Sequence, residues 1–144
     1  MHNRKILIIG EVYVDQHLDI IENGYSTSRL GGIFHAARSC DALNIEYALA
    51  YYAPDYLVKD VEKFGIDVLR ASSIFRLGKV DKAPNVMLIG QSDESGNQLY
   101  ENILGRQAEY VSMLPFMQVL DDFDPTDIIC LLYTSPSPRD RSVS

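Results

Sequence analysis

Residues 5–9, KILII, are apolar almost without interruption and stop at Gly10. A strand that is hydrophobic on both faces must be covered on both faces, which is the signature of a parallel sheet with helices on either side. The next stretch, EVYVDQHLDI, follows a different rule. Val12, Val14, Leu18 and Ile20 alternate with Tyr13, Asp15, His17 and Asp19, so a second strand presents its polar set on one accessible face. Residues 21–32 read as turns and short extended pieces around Gly24, Gly31 and Gly32.

Helical spacing then takes over. Ile33, Ala36, Ala37, Cys40 and Leu43 share one face of a predicted helix over 33–43, and YALAYYA (47–53) is a strand ended by Pro54. Asp55 has the position of an N-cap for a helix over 56–64. Leu57, Val61 and Phe64 fall on one side of that helix, and Gly65 is placed to close it. IDVLR (66–70) begins another extended run. Strand–helix–strand–helix–strand is an α/β order.

The rhythm breaks after that. Residues 85–103 predict two strands around the polar loop SDESGN, a β-hairpin standing apart from the parallel sheet. Residues 107–120 are helical in parts, with Pro115 kinking or dividing the helix, and Asp127 opens a new strand.

Bulk properties exclude several classes. The chain has 144 residues, the length of one domain or a piece of one, and a net charge of −7 with no basic patch. That combination argues against nucleic acid as a partner. No apolar run reaches the span a membrane helix needs, and the start lacks an export signal, so a cytoplasmic location is expected. Two cysteines and three histidines, widely scattered, suggest neither a disulfide framework nor a zinc site.

Several residues have the right chemistry and position for a ligand. Asp15 lies just past a buried strand, where an ionised carboxylate accepts hydrogen bonds from two sugar hydroxyls. The alternative is a solvated strand-edge carboxylate. Gly31 and Gly32 precede a helix, and their amides together with its N-terminus suit a polar ligand; the plain alternative is a turn. His35 sits in the first turn, either at the ligand or held by a backbone partner. Glu11 is read first as structural. Asn102 and Gln107 flank Gly105 after the hairpin as further hydrogen-bonding candidates. No nucleophile, base and orienting group come together, so no catalytic residue is assigned.

ILIIGEVYVDQHLDI, the glycine-pair segment LGGIFHAARSCDALNIEYALAYYAPD and the hairpin from Asn85 to Ile103 together resemble the N-terminal part of the ribokinase-like (PfkB) carbohydrate kinase family. The resemblance covers nearly all of residues 5–129. It implies a three-layer α/β sandwich, cut short, with a small β-sheet lid at about 83–104. It also implies a parent that phosphorylates a sugar or nucleoside hydroxyl with ATP and Mg²⁺. Asp15, Gly31, Gly32, Gly105 and Gln107 would border the substrate. The family's usual Asn falls at Ala36, and His35 beside it would substitute. The family's catalytic Asp and nucleotide site belong to a C-terminal half that this sequence does not contain. The chain alone is therefore expected neither to transfer phosphate nor to hold ATP well. Related lids pair between subunits, which makes a homodimer an expectation and an oligomerising structural protein a competing reading. A non-catalytic sugar-binding module is another.

The end of the chain raises a separate expectation. CLLYTSPSPRD, residues 130–140, resembles the conceptual translation of a transposon-end sequencing adapter. On that resemblance the native sequence stops near Ile129 and residues 130–144 are a foreign tail.

Overall fold

A computed structural model of the chain describes residues 3–22, 25–90, 94–95 and 107–131. The elements run β1 (Lys5–Glu11), β2 (Val14–Glu22), β3 (Tyr25–Leu30), α1 (Ile33–Ala42), β4 (Glu46–Ala53) and α2 (Val58–Lys63). They continue with β5 (Ser73–Asp81), β6 (Val86–Ile89), β7 (Glu94–Ser95), β8 (Glu109–Ser112), α3 (Phe116–Phe123) and β9 (Asp127–Leu131). Two sheets result. The larger has the order β8-β5-β4-β1-β9, and the smaller β3-β2-β6-β7.

In the larger sheet β1, β4, β5 and β9 are parallel and only β8 runs against its neighbour. The unbroken apolar run of β1 is explained by layers on both faces. Ile6 and Ile8 pack with Ile33, Phe34 and Ala37 of α1 and Val61 of α2, whereas Leu7 and Ile9 pack with Val119 and Phe123 of α3. β4 divides the same way. Tyr47, Leu49 and Tyr51 join the α1–α2 side, and the small residues Ala48 and Ala50 lie under α3. The chain is thus a three-layer α/β sandwich, as the sequence led us to expect. No described helix is long and apolar enough to cross a membrane.

Around the larger sheet three stretches depart from the sequence reading. Residues 66–70 are not a strand start; 64–68 form a π-helical turn, and β5 begins only at Ser73. The helix expected from residue 107 begins at Phe116. Residues 109–112 are instead the edge strand β8, and Pro115 divides strand from helix. A proline suits that boundary because it lacks the amide an interior helical turn needs. Asp55 is not an N-cap. It opens a 3₁₀ turn without a side-chain cap bond, and its carboxylate takes a 2.7 Å hydrogen bond from Arg76 Nη2. That bond holds the Asp55 carboxyl below its usual range.

The smaller sheet is broader than the hairpin alone. β2 and β3 pair antiparallel, β2 and β6 pair parallel, and β6 and β7 pair antiparallel. β3 lies within the segment read as turns, and β7 within the expected loop SDESGN. The second strand of the expected hairpin lies outside the described residues.

The sheets meet where β1 passes into β2 and β5 into β6. Asn85 closes this junction. It is fully buried, with a left-handed φ of 52°, which Asn tolerates better than most residues. Its Nδ2 donates to the Val12 carbonyl at 3.0 Å and to Glu11 Oε1 at 3.2 Å, and its own carbonyl accepts from Val14 N at 2.8 Å. Replacing Asn85 by Ala leaves buried acceptors unpaired and places a Cβ residue without a compensating bond at positive φ. We expect a loss of about 2–4 kcal/mol by urea denaturation. A cost below about 0.5 kcal/mol would remove Asn85 from this role.

Candidate functional site

β1 is the switch point of the larger sheet, with β4 and β5 on one side and β9 on the other. In open α/β sheets, ligands settle outside the carboxyl ends of the strands at such a point. A cavity of about 460 Å³ opens there, lined by Glu11, Tyr13, Asp15, His17, Gly32, His35, Met87, Ile89 and Leu131. Its volume is in the range of small-molecule sites. The alternation read along residues 12–20 is realised in part: Tyr13, Asp15 and His17 all line this cavity, whereas Leu18 of the expected apolar set is 50% exposed.

Asp15 is not a solvated edge residue. It is 4% exposed, and its Oδ2 lies 2.9 Å from His35 Nε2. Among the described residues the other carboxylate oxygen has no hydrogen bond. A buried carboxylate with one oxygen held and one left over is poised to accept from a ligand hydroxyl.

The glycine pair explains how Asp15 fits. A Cβ on Gly31 would lie 2.1 Å from Asp15 Oδ2, so the carboxylate occupies the space a side chain would take. The Gly31 amide is already donated to the Tyr13 carbonyl at 2.7 Å. Gly31 therefore contributes room, not the ligand donor suggested by the sequence. Gly32 has φ 64°, and a Cβ there would meet the Glu11 carbonyl at 2.1 Å. It turns the chain from β3 into α1 and lines the cavity.

His35 also lines the cavity, but its Nε2 is committed to Asp15. Its Nδ1 lies 3.4 Å from Arg38 Nη1. Gln107 is exposed and is absent from the described lining, so the structure does not join it to Asp15. Gly105 and Asn102 lie outside the described residues.

Glu11 has a larger part than its sequence position suggests. It is 2% exposed. Oε1 accepts from Asn85 Nδ2 at 3.2 Å and from the Tyr13 hydroxyl at 3.4 Å, and Oε2 accepts from the Tyr110 hydroxyl at 3.1 Å. Burial pushes its carboxyl above the ordinary 4.5, against the opposing pull of these donors. Tyr110 and Asn85 escaped the sequence reading. They stand 99 and 74 residues from Glu11, and no local pattern signals such a pairing. Among the described residues no three His, Cys, Asp or Glu side chains converge as metal ligands.

No protein-family model matches the sequence, and no curated protein matches it significantly. Solved structures do resemble the fold. One is a pyrophosphate-dependent kinase in the ribokinase family, complexed with a pyrophosphate analogue and myo-inositol. It aligns with a TM-score of 0.51 at 15% identity over 88% of this chain and 39% of its own. An uncharacterized sugar kinase from Pyrococcus horikoshii aligns more loosely, with a TM-score of 0.38 at 16% identity over 63% of this chain and 32% of its own. The chain thus spans well under half the length of either structure. The first likeness shows the fold: this is part of a ribokinase-like α/β sandwich.

Two outcomes test the site's construction. Gly31→Ala should destabilise the chain by about 2 kcal/mol or more. In the double variant with Asp15→Ala the clash is relieved, giving a coupling of at least about 1 kcal/mol. Additive effects would contradict the close approach. For Glu11, a raised folded-state value means the folded chain holds the proton more tightly than the unfolded chain. The contribution of Glu11 to stability is therefore full below pH 4.5 and is lost as pH rises from there through the raised value. Glu11→Gln should remove that fall. Melting temperatures of the two proteins between pH 4 and 8, by about half-unit steps, should diverge across this window, and parallel curves would argue against it.

Proposed function

We propose that the chain is the substrate-binding part of a larger kinase that phosphorylates a sugar or nucleoside hydroxyl, with ATP and Mg²⁺ as donor and metal in the parent protein. One observation carries this reading: the buried Asp15 carboxylate, held on one oxygen, stands in a cavity at the switch point of the sheet. A polyol offers the hydroxyl donors that such an acceptor needs. The solved kinase with the similar fold was captured with myo-inositol, also a polyol.

Asp15 binds a hydroxyl of the substrate in this proposal, Gly31 and Gly32 shape the wall beside it, and His35 borders it. Gly105 and Gln107 would enter from the returning lid segment. The described residues supply no ligand set for Mg²⁺, and no step of phosphoryl transfer is assigned to them. The catalytic base and nucleotide site belong to the parent's remaining length; the proposal also takes the residues from Cys130 onward as a foreign tail, so Leu131, which closes the end of β9 and one side of the cavity in this chain, is given no part in binding the substrate. A homodimer through the lid, whose described strands β6 and β7 belong to the smaller sheet, is part of the same proposal, as is a cytoplasmic location.

Calorimetry on the chain with myo-inositol, D-ribose, D-fructose and adenosine tests the reading. At least one should bind, and Asp15→Asn should weaken it by about ten-fold or more, the scale of one hydrogen bond to a charged group. Failure of all four, or an affinity unchanged by the substitution, would overturn the role of Asp15. Binding by the chain together with a native reading frame that stops shortly after Ile129 would instead favour a non-catalytic sugar-binding module. For a recovered longer protein, ATP and pyrophosphate should be compared as donors, because the similar kinase uses the latter.

A further inference from the structure

The geometry points to Arg38 as a positioning residue that fixes the tautomer of His35 and, through it, the orientation of the Asp15 carboxylate. The inference deepens the polyol-binding reading above and rests on it for its functional part.

The argument begins with an imbalance in burial. Asp15 has a side chain only 5% exposed, but the imidazole that holds it is 54% exposed. An imidazole so open to water keeps its rotational freedom unless its second nitrogen is also engaged. The described residue at that nitrogen is Arg38, one turn along α1, with Nη1 at 3.4 Å from Nδ1. A guanidinium has donors and no acceptor. In the neutral ring Nδ1 is therefore the bare nitrogen, and the proton sits on Nε2. That is the tautomer that donates across 2.9 Å to Asp15 Oδ2. The opposite tautomer would set an N–H against the Arg38 donor and a lone pair against the carboxylate.

Arg38 is itself anchored. Its Nη2 donates to the Leu30 carbonyl at 2.6 Å, and its guanidinium carbon lies 5.8 Å from the centre of the Phe64 ring. Leu30 immediately precedes the glycine that makes room for Asp15. Arg38 thus references the imidazole to the end of β3 and to the hydrophobic layer beneath α1. With Oδ2 held in this way, the other oxygen has a fixed direction toward the cavity.

Nitrogen-15 NMR of the ligand-free chain reads the His35 tautomer directly. At a pH where the ring is neutral we expect the proton on Nε2. In Arg38→Met the Asp15 carboxylate still favours the proton on Nε2, but the Nδ1–H share should rise measurably and binding of whichever polyol the wild-type chain takes should weaken by about three- to ten-fold, while Arg38→Lys should restore part of both. His35→Gln supplies a second route. The Gln amide nitrogen can donate to Asp15 without any tautomer to choose, so Arg38→Met in that background should cost no further affinity. An Nδ1–H tautomer in the wild type, or one unchanged in Arg38→Met, overturns the assignment. So does an equal loss from Arg38→Met in both backgrounds, which marks Arg38 as a structural support only. A wild-type chain that binds no polyol defeats the substrate reading instead, and the tautomer measurement still decides the part played by Arg38.

Discussion

A buried carboxylate at the seam of two sheets organises this molecule. Glu11 ends β1, an interior strand of the larger sheet, and takes hydrogen bonds from β8 through Tyr110 and from the residue before β6 through Asn85. Burying a charged group costs several kcal/mol unless donors surround it. Here the donors come from segments far apart in sequence, so the cost is offset only when the larger sheet, its antiparallel edge and the smaller sheet are assembled together. The same group forms part of the cavity wall. The seam and the candidate site therefore share one set of contacts, and disturbing either is felt by the other.

Asp15 depends on that arrangement. It lies one turn of chain beyond the seam, on the strand that Asn85 ties down through the Val14 amide. Its carboxylate then fills the space left by the absent side chain of Gly31. Two close-packed constraints, one backbone and one steric, fix its position before any ligand arrives. A carboxylate prepared in this way needs little ordering to meet a ligand, and under the proposed function that is what would let a few hydroxyl contacts suffice.

The part of this structure legible in the sequence is the part governed by local periodicity. The apolar run of β1, the shared placement of Tyr13, Asp15 and His17 and most of the buried face of α1 were available from spacing, although Leu43 of the expected stripe is 69% exposed and Phe34, outside it, is fully buried. So were Gly31 and Gly32, because few residues accept what the turn into α1 requires. β8 was not legible. EYVS is exposed along its whole length, and a short exposed strand carries no buried stripe to separate it from a helical start. β3, with the sequence YSTSRL, is mostly polar and reads as turn for the same reason. β5 was passed over because SIFRLGKVD mixes charges into its run, and its burial is decided by β4 and β8 on either side. Asn85 and Tyr110 could be found only in three dimensions.

The fate of position 36 shows why fold likeness at 15% identity stops short of chemistry. Adjacent residues on an α-helix point about 100° apart, so a side chain at 35 cannot reproduce one at 36. The family resemblance suggested that His35 replaces an amide at Ala36. In the structure His35 turns to Asp15, and its nitrogen on that side is no longer a spare donor for a ligand. The hydrogen-bonding inventory of the cavity is thereby shifted from amide donor toward carboxylate acceptor. A ligand matched to this wall would have to bring its own donors, so under the proposed function the hydroxyls presented to Asp15 would matter more than any carbonyl or ring oxygen on that side. The backbone fold does not by itself name a ligand. What the cavity offers one is set by which of these few polar atoms are already engaged by the protein itself.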